Sequence, residues 1–226
     1  MRAPPLIAGL LLVLALAPAK AEFQISVYGG ANTANDSEVT LELGALSGSF
    51  DVDWFGDSFH RPPYYGVRGT YWLTDFAMPN WGAAVDFTHA KVKADLDDPA
   101  VGGAFDRLEF TNGLNFLTLN ALYRAPVSER FILYAGAGAG ASIPHVEVST
   151  IPPTADTREY QVTGPVIQGL VGSSVDLFHG LALFSEYRAS YSWNDADLDG
   201  GGSLETDILI HNFALGLSFS FGGPKE

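Results

Sequence analysis

The chain has no cysteine, which removes disulfide staples, thiolate nucleophiles and Cys-rich metal sites, so any redox chemistry must use other groups. It is also poor in cations: 12 Lys plus Arg stand against 26 Asp plus Glu, a formal net charge of −14. Such a surface repels a phosphate backbone and excludes nucleic acid as a partner. Long apolar runs are missing as well. The longest, Leu6 to Leu16 in MRAPPLIAGLLLVLALAPAKA, is too short for a membrane anchor. With Arg2 ahead of it and Ala19 and Ala21 around Lys20 behind it, it reads as a secretory signal, with cleavage expected after Ala21. Residues 22–226 are then one domain of about 205 residues. Losing Arg2 and Lys20 leaves ten cations against 26 acids, a charge of −16. An exported chain without a spanning helix meets a membrane as a β-barrel or not at all.

What is present in quantity is period-two alternation. In ETDILIHNFALGLSFSF (Glu205 to Phe221), Leu209, His211, Phe213, Leu215, Leu217, Phe219 and Phe221 share one face, and Ile210, Asn212, Ala214, Gly216, Ser218 and Ser220 the other. Large apolar groups opposite small or polar ones, sustained at this length, describe a strand tilted across a bilayer with lipid outside and a polar interior. The same pattern predicts strands over Glu22–Asn32, Tyr65–Leu73, Trp81–Thr88, Leu108–Arg124, Phe131–Val148, Glu159–Val175 and Leu181–Trp193. Short turns (Thr74–Asn80, Ala125–Arg130) alternate with longer loops, among them the acidic stretch Thr33–Phe55, with a brief hairpin expected over Val39–Leu46, and the polar stretch Asp95–Asp106. The expectation is an all-β fold, an eight-stranded antiparallel transmembrane outer-membrane β-barrel. Trp72, Trp81, Trp193, Tyr64, Tyr65, Tyr71, Tyr123, Tyr134, Tyr187 and Tyr191 fall near strand ends, as interfacial girdles do. A lipocalin-like soluble barrel would instead turn its apolar side chains inward.

Arg68, Asp86, Arg124, Glu186 and Arg188 lie on the inward register, where charges persist only when paired, so they are expected to form a buried ion network that plugs the lumen. YAGAGAGA (Tyr134 to Ala141) resembles a dinucleotide loop, but Ile143, Pro144 and His145 follow where a helix should begin, so no NAD or flavin site is read here; small residues on a barrel strand, lining a shallow groove for an acyl chain, are the reading taken. Asp195, Asp197, Asp199 and Gly200 match the first half of a calcium loop, yet Thr206 stands where a bidentate Glu belongs, between Glu205 and Asp207. A solvated hairpin tip and a loosely bound divalent cation both remain open. His89, His145 and His211 sit on the lipid-side register near the loop ends of their strands, with Lys91, Glu109, Glu147 and Glu205 beside them. Imidazoles and carboxylates at that height suit metal binding or acid–base work on a lipid headgroup.

At these residues the chain resembles the lipid A oxidases, small outer-membrane barrels. The resemblance is carried by SVYGGANTANDS (Ser26 to Ser37), DFTHAKV (Asp86 to Val92), LEFTNGLNFLTLNALYR (Leu108 to Arg124), PHVEV (Pro144 to Val148), YQVTGP (Tyr160 to Pro165) and EYRASYSWNDADLDGGGSLETDI (Glu186 to Ile208). It implies oxidation of the proximal glucosamine of lipid A to 2-aminogluconate, with O2 as co-substrate and H2O2 as product, in the outer leaflet of a Gram-negative outer membrane. The sugar must first have lost its anomeric phosphate, because only a free hemiacetal offers a C1 hydrogen to lose and a hydroxyl to deprotonate. The resemblance carries over His89, Lys91, Glu109, His145, Glu147 and Glu205. His89 or His145 is the base or metal ligand, and Glu109 and Glu205 are the supporting carboxylates. A divalent metal ion, held by His145 and the acids Asp195, Asp197 and Asp199, is the electron acceptor expected where no flavin or cysteine is available. His211 stands where the family pattern carries an amide residue, and it is read as the boundary of the hydrocarbon. A monomer in contact with lipopolysaccharide is expected. Two other classes remain: a non-catalytic OmpA-like or OmpW-like barrel, and a lipid A acyl hydrolase or acyltransferase, for which Ser26, Ser37 and Ser203 lack a histidine at a telling spacing.

Overall fold

A computed structural model of the chain describes residues 22–222; the leader expected over 1–21 and the tail 223–226 lie outside the described residues. Fourteen strands follow in order: β1 (Glu22–Ala34), β2 (Ser37–Glu42), β3 (Gly48–Val52), β4 (Trp54–Phe55), β5 (Tyr65–Trp72), β6 (Trp81–Ala90), β7 (Lys93–Ala94), β8 (Phe105–Glu109), β9 (Leu114–Pro126), β10 (Phe131–Thr150), β11 (Asp156–Tyr160), β12 (Gly164–Phe178), β13 (Leu181–Leu198) and β14 (Gly202–Gly222). One short helix, α1 (Pro99–Ala104), interrupts the Asp95–Asp106 stretch that reads as loop. The Asp98 carboxylate caps it by accepting from the amides of Ala100 and Val101.

The long strands pair antiparallel in the order β12–β13–β14–β1–β5–β6–β9–β10, and β10 pairs β12 as well. Alternation is realised in burial. On β14, Phe213, Leu215, Leu217, Phe219 and Phe221 are exposed, while Ile208, Ile210, Asn212 and Ala214 between and above them are buried. An exposed apolar face over a buried, largely polar one is the reverse of a soluble barrel.

Two predicted strands are broken. The stretch expected as one strand from Leu108 to Arg124 divides into β8 and β9 around Gly113, whose φ of +126° only glycine adopts readily. Glu159–Val175 divides into β11 and β12 at 161–163. The pieces beyond each break pair with the far end of β10, β8 along Glu147–Thr150 and β11 along His145–Ser149. They build a small second layer at the loop end. The expected hairpin above the membrane is present as β2 and β3, and β2 extends the sheet by pairing with β14 at Ser203–Thr206. These loop segments are not a solvated fringe. Val39, Leu41, Val52, Trp54, Phe105, Leu108, Phe110, Val146 and Val148 bury together in one apolar cluster.

Inside, the expected ion network forms from four of its five members. Arg68 Nε donates to Asp86 (2.7 Å) and its two terminal nitrogens to Glu186 (2.7 and 2.8 Å); Arg188 Nη2 donates to Asp86 (2.9 Å) and Glu186 (2.7 Å). The hydroxyls of Tyr28 and Tyr134 complete the carboxylates, at 2.6 Å on Asp86 and 3.0 Å on Glu186. Arg124 stands apart, nearer the turn end, bidentate on Glu22 (2.7 and 2.8 Å) and over the Trp72 ring. Between the two groups lies a cavity of about 410 Å³ at the turn end, lined among others by Arg68, Trp72, Arg124 and Tyr134. Trp72, Tyr64 and Tyr134 are therefore interior residues and not part of an aromatic girdle, which is left to exposed rings such as Trp81, Tyr123 and Trp193. Gly136, Gly138 and Gly140 also face inward. A Cβ at Gly138 would overlap the Asn120 amide, so these glycines make room for interior side chains and do not line an outer groove.

Candidate functional site

The break at Gly113 brings the outward faces of β6, β9 and β10 together at the loop end. His89 on β6 is opposite Asn115 on β9, and Asn115 is opposite Ile143 on β10. Two residues further along β10 is His145, whose amide donates to the Gly113 carbonyl at 2.8 Å, and the turn itself lies against the His89–Asn115 pair. Both candidate imidazoles thus adjoin one turn, although 56 residues separate them in the chain.

His145 Nδ1 donates to Glu147 Oε1 at 3.1 Å, and the Asn112 amide donates to the same oxygen at 2.6 Å. Arg107 bridges the two carboxylates across the β8–β10 pairing, 2.5 Å from Glu109 and 3.4 Å from Glu147. Its guanidinium offsets the like charges of two glutamates placed opposite one another. Tyr160 packs edge-on against the His145 ring, at 4.7 Å between centroids, and its hydroxyl donates to the Asn112 carbonyl. His89 is buried at 4% exposure although it lies on the outward register. Its Nδ1 is 2.8 Å from Asn115 Oδ1, the exposed Tyr65 ring stacks on it at 4.9 Å, and its Nε2 has no partner among the described residues.

Four of the residues carried over by resemblance, His89, Glu109, His145 and Glu147, therefore gather in one place. The others do not. Lys91 is buried beside them in sequence but turns to the β4–β5 loop, where its Nζ meets Asp57 at 3.3 Å and the His60 carbonyl at 3.1 Å. Burial pushes the Asp57 carboxyl up, and hydrogen bonds from His60 and Lys91 more than offset this and hold it below the ordinary aspartate value. Glu205 is on β14, paired with Asp195 and Thr40. Asp195 and Asp197 lie within β13 on its exposed face, and Asp199 follows in the tight turn to β14. An extended strand spaces these carboxylates apart where a calcium loop would wrap them around an ion. His211 is bonded to the Tyr187 hydroxyl at 2.6 Å, also on β14 and away from the Gly113 turn. Among the described residues, no group of three or more His, Asp or Glu side chains is placed to hold a metal ion. His145 with Asp195, Asp197 and Asp199 does not form the expected ligand set, and two imidazoles fall short of a closed coordination shell.

Sequence reasoning missed Asn115, Asn112 and Arg107. Asn115 carried a signal: it is an amide on the lipid-facing register, in line with Leu117 and Leu119.

No family model and no curated protein matches the chain. Among solved structures, it is similar to Neisserial surface protein A, at 15% identity and a TM-score of 0.51 over 89% of this chain and 97% of that one. It is also similar to the outer membrane protein OprG from Pseudomonas aeruginosa, at 13% identity and a TM-score of 0.52 over 91% and 98%. These likenesses show the fold: the chain is all-β and resembles outer-membrane β-barrels.

Proposed function

We propose that the protein is a lipid A-modifying enzyme of the outer membrane, and that it oxidises the C1 hemiacetal of the proximal glucosamine with O2 to the lactone, releasing H2O2, with water then opening the lactone to 2-aminogluconate. The observation that carries this reading is the convergence of His89, Glu109, His145 and Glu147 on the outward face at the loop end, where the headgroup of an outer-leaflet lipid would lie. His145, oriented through Nδ1 by Glu147, presents Nε2 to accept the proton of the anomeric hydroxyl. Arg107, 39% exposed, answers the anionic headgroup while balancing the two glutamates.

The architecture proposed with it is a closed barrel of the eight long strands. In support, the pairings followed once around from Leu133 on β10 pass Ser173, Ser185, Leu215, Gly29, Tyr65, His89 and Asn115 and return to β10 at Ile143, ten residues further along (143 minus 133). A stagger of ten residues at ~3.3 Å over eight strands at ~4.8 Å is a tilt of roughly 40°, inside the range of such barrels. Eight strands leave no aqueous pore, and the Arg68–Glu186 network closes what lumen there is. A single barrel of this kind works as a monomer.

The second reading is a non-catalytic barrel, favoured by the absence of a metal-holding group among the described residues when oxidation without flavin or cysteine needs an electron acceptor. Mass spectrometry of lipid A from cells with and without the gene separates them. Oxidation adds the mass of one oxygen; no change sinks the enzyme reading, and loss or gain of an acyl chain points to a hydrolase or transferase. Neither Ser26 nor Ser37 argues for the last, since Ser26 is buried and the Ser37 hydroxyl is taken by Trp54 and Thr206.

A further inference from the structure

We infer that Asn115 holds His89 as the neutral Nδ1–H tautomer, leaving Nε2 as the acceptor for a hydroxyl of the lipid headgroup; this rests on the headgroup reading given above. The tautomer follows from a chain of hydrogen bonds. Asn115 Nδ2 donates to the Ile143 carbonyl at 3.1 Å. The opposite amide orientation would face two carbonyl oxygens toward each other, so Asn115 Oδ1 must be the atom that meets His89. An amide oxygen only accepts, and at 2.8 Å from it His89 Nδ1 must carry the proton. Nε2 is buried with no acceptor to receive a second proton, which disfavours the imidazolium and leaves a bare lone pair at Nε2.

Three features make this arrangement specific. Gly113 packs against the bond so closely that a Cβ there would come within 2.6 Å of both Asn115 Oδ1 and His89 Nδ1, which keeps water from competing for the pair. The residue is 4% exposed, yet its Nε2 has no partner, a cost that a purely structural histidine would ordinarily avoid. The ring is overlain by Tyr65, itself 40% exposed on the outward face, so it lies one side chain beneath the outward surface. His89 is thus a second acceptor beside the His145–Glu147 pair, reached from the lipid side, and Asn115 is a positioning residue that acts through it.

The test is 15N NMR of the histidine rings in the refolded barrel in detergent micelles, with His89 assigned by comparison with His89→Gln. The wild type is expected to show a protonated Nδ1 and an unprotonated Nε2 for this ring, and lipid A added to the micelles is expected to shift the Nε2 resonance. Asn115→Leu is expected to mix the tautomers and lower lipid A turnover about a hundredfold, whereas Asn115→Asp, which keeps an acceptor at Nδ1 but loses the donor to the Ile143 carbonyl, restores the Nδ1 proton and part of the turnover. Heat-modifiable mobility on gels confirms that each variant is folded. A protonated Nε2 in the wild type, or an Nε2 resonance indifferent to lipid A, overturns the inference. So does an Asn115→Leu barrel that changes tautomer without losing turnover. If lipid A from cells is unmodified while the Nε2 shift is seen, the oxidase reading falls and the headgroup contact at His89 stands.

Discussion

The interior network and the loop-end cluster are built from similar groups and leave different kinds of atom unanswered, a donor nitrogen of Arg188 inside and an acceptor nitrogen of His89 at the loop end. Inside, all four carboxylate oxygens of Asp86 and Glu186 accept from Arg68, Arg188, Tyr28 or Tyr134, and the charged side chains are buried. At the loop end, Glu147 is shared between His145, Asn112 and Arg107, the guanidinium of Arg107 is partly exposed, and His89 keeps a nitrogen with no partner. A network whose carboxylates are all answered offers a ligand no acceptor; its Arg188 Nε donor is without a partner among the described residues, and its work is to hold strands together and fill the lumen. A cluster with unanswered lone pairs on a membrane-facing surface is open to one.

Breaking the interior has the largest expected effect. Glu186→Leu leaves Arg68 and Arg188 with only Asp86, and an uncompensated buried charge costs about 3–5 kcal/mol. Urea unfolding of the refolded barrel in micelles measures this; a loss under about 1 kcal/mol would mean that water already reaches the network. His145→Ala sharpens the other side of the comparison. It is expected to lower lipid A modification roughly 10²–10⁴-fold while moving stability by less than about 1 kcal/mol, and the same two assays on one preparation decide it. Equal damage to fold and turnover would place His145 with the structural residues. The smallest effect belongs to the β4–β5 loop. Asp57 has a depressed folded value, so its contribution to holding Lys91 and His60 is present above the ordinary aspartate value and lost as the pH falls through the folded one. Protease nicking of residues 56–64 is therefore expected to be unchanged between pH 7 and pH 5 in wild type and to rise only below about pH 4, with Asp57→Asn raising it at every pH.

Much of the wall was legible because a period of two is a strong constraint: once Phe213 faces lipid, Ala214 and Asn212 must not. The same parity put Arg68, Asp86, Glu186 and Arg188 on one side, and proximity in a narrow interior does the rest. Arg124 shares the parity yet lies outside the network, because parity fixes a face and says nothing of height along the strand. Strand order is hidden as well: Asp195 and Asp197 lie on β13, with β12 between it and the β10 of His145, and Glu205 lies one strand further, on β14. Which outward residues meet depends on stagger between strands, a property of pairing and not of any one segment. The break at Gly113 in FTNG was hidden because apolar residues continue in step on both sides of it, and the apolar cap formed by Val39, Val52, Phe105 and Val148 was hidden because each of its segments is short and flanked by acids.

The interior network also constrains the order of assembly. Arg68 and Glu186 are 118 residues apart, and Arg188 reaches Asp86 across 102. The strands that carry them come from the early β5–β6 hairpin and from late β13, and β14 and β1 lie between β13 and β5 in the sheet. Neither pair of charges can meet until the first and last strands of the sheet have joined. Until then Arg68 has only Asp86, opposite it on β6, and Arg188 only Glu186, two residues away on β13, so the unclosed sheet carries half-answered charge on the face that will become its interior. The cross-seam half of the network is therefore a latch: it forms late, holds the seam from within, and leaves a chain that has lost its last strand with each arginine on one carboxylate instead of two.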